Sequence, residues 1–306
     1  MRVAVLHTFR APLVLQDRPT PTPGPGQVVV RIEASGLCHT DIHASQGDWP
    51  VKPGLPFAPG REGVGTIESA GPGARLPVGT RVAIPWLHVV ADGDYVVEVP
   101  NGVDPFDVAP LTCAGVTTYK AVKVSGTRPA NKLAVFGIGG LGHMAVQYAR
   151  IAGAEVIAVD IDDAKLDMAR KIGATHLVNA ASDDPVATIQ KLGGADQCVV
   201  TAASREPIMQ ALNSLRRNGT IILVGLSADN QSDLPIFQSV LGGATVKGAI
   251  VGTRQDLRED FGLHARDLTS VVREIRPLDR VNESIADVLA GRVEGRIVFD
   301  PNANAA

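Results

Sequence analysis

Apolar residues in the first 120 positions come in short runs broken by glycine and proline. MRVAVL, QVVVRIEA, GVGTIES, RVAIPW and DYVVEVP all carry valine or isoleucine and are bounded by turn residues. Such runs predict a compact β-barrel or sandwich. The texture changes near residue 110. From Lys132 onward strand-like and helix-like segments alternate: KLAVFG, LGHMAVQYARIAGA, EVIAVD, DDAKLDMARKIGA, HLVN, DQCVVTA, REPIMQALNSLRRNG and TIILVGL. This alternation predicts an α/β domain, a parallel sheet with crossover helices. After Gly139, Leu141, Met144, Ala145, Tyr148 and Ala149 recur at helical spacing and predict one buried face. Beyond about residue 255 the pattern is less regular, and it ends in GRIVFD, a strand that could return to the first domain.

Composition adds mainly exclusions. A chain of 306 residues is long enough for two domains. Its net charge of −3 shows no basic excess, and 4% aromatic residues leave little for a base-stacking surface, so nucleic acid is not an expected partner. No stretch approaches the roughly 20 apolar residues of a membrane span. MRVAVLHTFRAPLVL has neither the apolar core nor the cleavage site of a signal peptide. The cysteines, Cys38, Cys113 and Cys198, are too few and odd in number for a disulfide framework. A cytoplasmic protein is expected. Cys198, inside the apolar DQCVV, reads as a buried small hydrophobe.

Residues 133–142 read LAVFGIGGLG, which places Gly137, Gly139 and Gly142 in G-x-G-x-x-G between a strand and a helix. The first glycine allows a tight turn, the second lets backbone approach a pyrophosphate, and the third packs helix against strand. Gly140 and Leu141 complete the loop, and the helix N-terminus offers N–H groups to phosphate. The next strand ends at Asp160, whose carboxylate can accept both adenosine-ribose hydroxyls and repels a 2′-phosphate, favouring NAD(H) over NADP(H). Lys165 either touches the same ribose or is a solvated surface lysine.

SGLCHTDIH, residues 35–43, brings together Cys38, Thr40, Asp41 and His43. Glu62 lies in PGREGVGTIE and Cys113 in PLTCAGVTTYK. These segments resemble the zinc-dependent alcohol dehydrogenases of the medium-chain dehydrogenase/reductase superfamily, in particular the bacterial NAD type. The resemblance runs from residue 1 to about 300 and is carried by ASGLCHTDIHASQGDWPVKP, PGREGVGTIE, AGVTTYKA, FGIGGLGHMAVQYA and GAIVGTR. It implies a GroES-like β-barrel catalytic domain over 1–116 and 255–306 and a Rossmann doubly wound parallel sheet over 117–254. It also implies hydride transfer between a small alcohol and NAD.

In that family a Cys, a His and a second Cys hold the catalytic zinc, leaving a position for water or substrate oxygen. The cysteines match Cys38 and Cys113, and Glu62 matches a glutamate that can swing onto the metal. The histidine position is Arg61. Thr40 and His43 match the proton relay, and Asp41 matches the carboxylate that orients the missing histidine. Trp49 and Trp86 match the substrate-pocket lining and Thr117 a position near the nicotinamide. Arg254 matches a pyrophosphate contact, and Val224 is counted with the cofactor contacts. The family's four-cysteine lobe, which binds a structural zinc, is absent, because IPWLH runs almost directly into VVADGDYVVEVP and no CxxC occurs. No structural zinc is expected. The join is in frame, made either by design or by descent. Family members associate along the edge matching LGGATVKGAIVG, so a homodimer is expected.

A guanidinium has only donors and cannot replace imidazole as a ligand. At about 4 Å and an effective dielectric near ~20, two unit charges repel by roughly 4 kcal/mol, and a dication doubles that. The expected zinc site is therefore impaired or empty, with Cys38, Glu62 and Cys113 as its remaining ligands. Three readings stay open. The first is a zinc-poor alcohol dehydrogenase. The second is a metal-free carbonyl or enone reductase that uses Arg61 as electrophile. In the third, Arg61 forms a structural ion pair with Asp41 or Glu62, and the chain is a non-catalytic NAD-binding protein.

Overall fold

The computed structural model describes residues 1–49, 51–85, 90–226 and 231–303. β1 (Arg2–Val5) and β2 (Val14–Asp17) form a separate antiparallel pair, with Arg2 opposite Asp17. β3 (Gln27–Gly36) is a ten-residue strand with Val28, Val29, Val30 and Ala34 buried. It is followed by α1 (His39–Gln46), β4 (Glu62–Ala70), β5 (Arg81–Pro85), β6 (Val90–Asp92) and β7 (Val97–Glu98). β3 pairs antiparallel with both β4 and β6, and β5 joins β4 to β7. Val28, Val30, Ile67, Val82 and Ile84 pack into the core of this sheet.

The strand predicted through DYVVEVP shrinks to two residues. A turn takes its start: the Asp94 N–H donates to Asp92 Oδ1 at 2.9 Å and the Tyr95 N–H to Asp92 O at 2.9 Å. α2 (Pro105–Pro110) opens on the Asp104 cap and continues through a π-helical turn, Leu111–Gly115, into α3 (Val116–Ser125). Cys113 lies in that turn.

Strands and helices then alternate without interruption: β8 (Lys132–Phe136), α4 (Gly142–Ile151), β9 (Glu155–Asp160), α5 (Asp163–Lys171), β10 (His176–Asn179), α6 (Pro185–Lys191), β11 (Ala195–Val200), α7 (Arg205–Ser214), β12 (Leu215–Leu223), α8 (Ile236–Gly242) and β13 (Thr245–Gly248). All six strands are parallel, in the order β10-β9-β8-β11-β12-β13. Counted from β8 this is the doubly wound order 3-2-1-4-5-6 of a Rossmann sheet, whose topology reverses between β8 and β11. Phe136, Ile157, Val159, Cys198, Val200 and Ile221 fill its core.

Two sequence expectations change here. α4 is buried from Gly142 to Ala149 rather than on one face, including His143 and Gln147. Gln147 is satisfied by Ser270, donating to its carbonyl and accepting from its N–H, each at 2.8 Å. The helix predicted over REPIMQALNSLRRNG stops at Ser214. Leu215 turns extended (ψ 142°) and pairs with Ala195, so sheet pairing overrides the helix propensity of the leucine and arginines.

The C-terminal part is more regular than its sequence pattern: α9 (Arg254–His264), β14 (Arg273–Pro277), α10 (Val281–Leu289) and β15 (Arg296–Asp300). GRIVFD forms β15, which runs antiparallel to β3, with Val298 opposite Gly36, and parallel to β14. The chain thereby divides into two compact units. One comprises Met1–Cys113, Leu257–Arg266 and Val271–Ala306; the other comprises Ala114–Asp256 and Asp267–Ser270. Among the described residues no helix is long and apolar enough to cross a membrane.

Candidate active site

Cys38 ends the loop after β3 and caps α1, Glu62 opens β4, and Cys113 sits in the π-helical turn. One ligand atom of each lies within 4.8 Å of the others. The two Sγ atoms are 3.7 Å apart. Two Zn–S bonds of about 2.3 Å at a tetrahedral angle put their sulfurs roughly 3.8 Å apart, so the thiols already span one edge of a zinc tetrahedron. Glu62 is fully buried, and its Oε2 has no hydrogen-bond partner among the described residues. Gly36 makes room for that oxygen, since a Cβ there would lie 1.9 Å from it. Two soft sulfurs and an orphaned carboxylate oxygen fit a metal at three positions.

The counter-charge comes from the far end of the chain. Arg296, at the start of β15, is buried and bonds to Glu62 Oε1. Burial pushes the Glu62 carboxyl up to about 8 even though Arg296 pulls it down. The hydrogen bond from Cys113 holds Cys38 well below the usual thiol range, with help from Arg296 and Thr40, while Cys113 is driven up. The two thiols are thus made unequal beside a buried guanidinium.

Arg61 is 7% exposed. Burial raises the Asp41 carboxyl to about 7; Arg61 and the N–H groups of Cys38 and Gly60 oppose that rise. Those two N–H groups bond to the carboxylate at 3.0 Å each. The leading cation at Cys38, Cys113 and Glu62 is Arg296, whereas Arg61 acts on Asp41. Across the turn formed by α1, the His43 ring stands 5.7 Å from the Trp49 ring, and its Nδ1 is 2.9 Å from Asp48 Oδ2. Thr40 bonds to the Cys38 sulfur.

The glycine loop of the other unit is built as its sequence demands. Gly137 has φ 92°, open to glycine at little cost. A Cβ on Gly142 would meet Gly137 O at 1.9 Å, while one on Gly139 would meet only open space. Asp160 Oδ2 accepts from the Ile138 N–H at 2.6 Å, and its Oδ1 accepts from the Ile161 N–H at 2.8 Å. Thr201 Oγ1 donates to Gly137 O at 2.6 Å. No side chain caps α4; its second and third N–H groups, of His143 and Met144, donate to Gly139 O and Leu141 O at 3.1 Å each. The open side of Gly139 fits the close approach of a dinucleotide pyrophosphate.

Two family models match the chain: "Alcohol dehydrogenase GroES-like domain" over residues 24–160 and "Zinc-binding dehydrogenase" over residues 140–266. An alcohol dehydrogenase of Geobacillus stearothermophilus is 42% identical, covering 98% of this chain and 99% of that protein. One from Moraxella sp. (strain TAE123) is 43% identical, with the same two coverages. The crystal structure of the alcohol dehydrogenase from the hyperthermophilic archaeon Aeropyrum pernix superposes with a TM-score of 0.91 at 29% identity, covering 98% of this chain and 100% of that one. The chain belongs to the zinc-type alcohol dehydrogenase family. It is an alcohol dehydrogenase-type oxidoreductase with a nicotinamide-cofactor fold, a GroES-like domain joined to a Rossmann domain. The Geobacillus alignment spans 335 residues against 306 here, so at least 29 positions of that relative have no counterpart in this chain.

Within this alcohol dehydrogenase fold, Cys38, Thr40, Asp41, Glu62 and Cys113 are gathered, with Arg61 buried and its charge felt at Asp41, and His43 beside Trp49. Gly137, Gly139, Gly140, Leu141, Gly142 and Asp160 form the loop. Lys165 lies in the first turn of α5, Val224 directly follows β12 with its N–H on Val200 O, Thr117 is buried in α3, and Arg254 opens α9. Trp86 lies outside the described residues. Arg296, Asp48, Thr201 and Gly36 were not foreseen. Arg296 had one available signal: a buried glutamate demands a cation, and GRIVFD places an arginine at the head of an apolar strand.

Proposed function

We propose that the chain interconverts a small primary or secondary alcohol with its aldehyde or ketone, using NAD(H), at a weakened zinc site. The grouping of Cys38, Glu62 and Cys113 at the head of the helix that carries Thr40 and His43 supports this reading. Gly137, Gly139, Gly142 and the α4 N-terminus would hold the pyrophosphate and Asp160 the ribose, a carboxylate that disfavours a 2′-phosphate. Bound nicotinamide supplies the hydride acceptor. Cys38, Glu62 and Cys113 would hold the metal, which supplies a Lewis acid at the substrate oxygen. Thr40 Oγ1 takes the alcohol proton, and His43 passes it to solvent. Glu62 stays tied to Arg296 through one oxygen and offers the other.

The metal-free carbonyl or enone reduction through Arg61 ranks second, because the cysteine and glutamate ligand atoms are already grouped. A homodimer is proposed from the exposed apolar residues of α8 and β13. NADH fluorescence titration, zinc analysis, and turnover of alcohols, aldehydes and enones with and without chelator test the reading. NADH binding with chelator-sensitive alcohol turnover is the expected result. Failure to bind NADH would sink it, and chelator-resistant turnover would favour the Arg61 reading.

A further inference from the structure

α1 ends at Gly47 in the left-handed region, φ 69° and ψ 33°. A Cβ there would also lie 3.1 Å from the Phe9 ring, so both conformation and space call for glycine. The cap turns the chain back over the helix end. The Asp48 N–H donates to His43 O at 3.2 Å, and Asp48 Oδ2 lies 2.9 Å from His43 Nδ1. Asp48 therefore grips His43 twice, through backbone and side chain. Arg10 braces the turn: its N–H donates to Ser45 O at 2.9 Å, and its Nη2 is 3.9 Å from Asp48 Oδ1. The other groups facing the His43 ring are His39, with centroids 6.2 Å apart, and Trp49. The two side chains are 22% and 23% exposed, so the contact acts through geometry more than charge.

A carboxylate offers only lone pairs, so the ring nitrogen facing it must carry the proton. We infer that Asp48 is a positioning residue that holds neutral His43 as the Nδ1–H tautomer and leaves Nε2 as the nitrogen that receives the relayed proton. This rests on the relay reading of His43. In the step, a bond from Nε2 to hydrogen forms as the relay O–H bond breaks; the imidazolium then releases that proton to water, and no electrons change hands. The opposite tautomer sets two acceptors face to face at Asp48 and leaves Nε2 with no lone pair for a proton.

Long-range 1H–15N spectra of the full chain, recorded above the histidine titration, test this. The His43 signals are assigned by their loss in His43→Gln. Nδ1–H is expected in the unaltered chain, with a shift toward Nε2–H in Asp48→Ala. In that variant kcat for alcohol oxidation should fall on the order of tenfold, as when a histidine loses its orienting carboxylate, with NADH affinity unchanged. Asp48→Glu should recover part of it. An Nε2–H signal in the unaltered chain, or the same tautomer in Asp48→Ala, would overturn the assignment. Full turnover in His43→Gln would remove the relay reading alone, because the tautomer spectrum needs no turnover.

Discussion

Arg61 and Arg296 are two buried guanidiniums with different duties. Arg296 bonds to Glu62, opposes the effect of its burial and acts on both thiols, whereas Arg61 acts on Asp41. Returning a neutral imidazole next to Asp41 supplies the missing donor without adding charge. Arg61→His is therefore expected to raise bound zinc from a fraction toward about one equivalent, since catalytic zinc sites use three protein ligands; plasma emission analysis of the dialysed protein checks this. Cys113→Ser should lower zinc in either background, because it removes one of the two sulfurs at the 3.7 Å edge. Arg296→Met leaves Glu62 buried without its cation, a loss of about 3–5 kcal/mol for a broken buried pair, measurable by urea unfolding.

At the level of elements, the loop between β8 and α4 depends on Gly142. Its absent Cβ lets the helix approach Gly137 O, where a methyl would lie at 1.9 Å. Gly142→Ala should cost about 1–3 kcal/mol, as overpacking does, and weaken NADH binding in fluorescence titration. This loop was legible in the sequence, because G-x-G-x-x-G, a following helix and Asp160 are all local in the chain. So were Cys38, Thr40 and His43, which lie on one short helix and its N-cap. Asp48 is equally local, but its role depends on the left-handed Gly47, which brings its carboxylate back onto His43. Arg296 was harder to find for another reason: its partner is 234 residues away, and no periodicity reports such a pairing. The α7–β12 boundary failed because residues 215–218 favour helix locally and are overruled by β11. Asp256 belongs to the same scale. It accepts from the Thr253 N–H at 2.8 Å and from Lys123 Nζ at 3.0 Å. Burial opposes its charge, but these donors hold the carboxyl well below the usual carboxylate range. A depressed folded value stabilises above the ordinary carboxylate range and is lost as pH falls. Urea midpoints should therefore fall more between pH 6 and 3 for the unaltered chain than for Asp256→Asn.

Over the whole molecule, the least explained surface is apolar. Phe237 and Val240 on α8 are each 72% exposed, and Ile250 just past the edge strand β13 is 80% exposed. An uncovered strand edge beside such residues invites a partner. A dimer is expected by sedimentation, with Phe237→Glu/Val240→Glu shifting it to monomer while NADH binding persists. The placement of β15 reaches into biosynthesis. A ribosome delivers Arg296 234 residues after Glu62, with the run Ala114–Asp256 made in between. The dinucleotide-binding half can mature while the rest is still being translated, apart from Asp267–Ser270, which it gains shortly afterwards. The other half cannot: until β15 emerges, the Ser35–Gly36 end of β3 lacks its partner strand and the buried Glu62 lacks Arg296. A nascent chain stalled short of residue 290 is thus half finished in a defined way, and its unfinished part is the one that would expose sheet edge to chaperones.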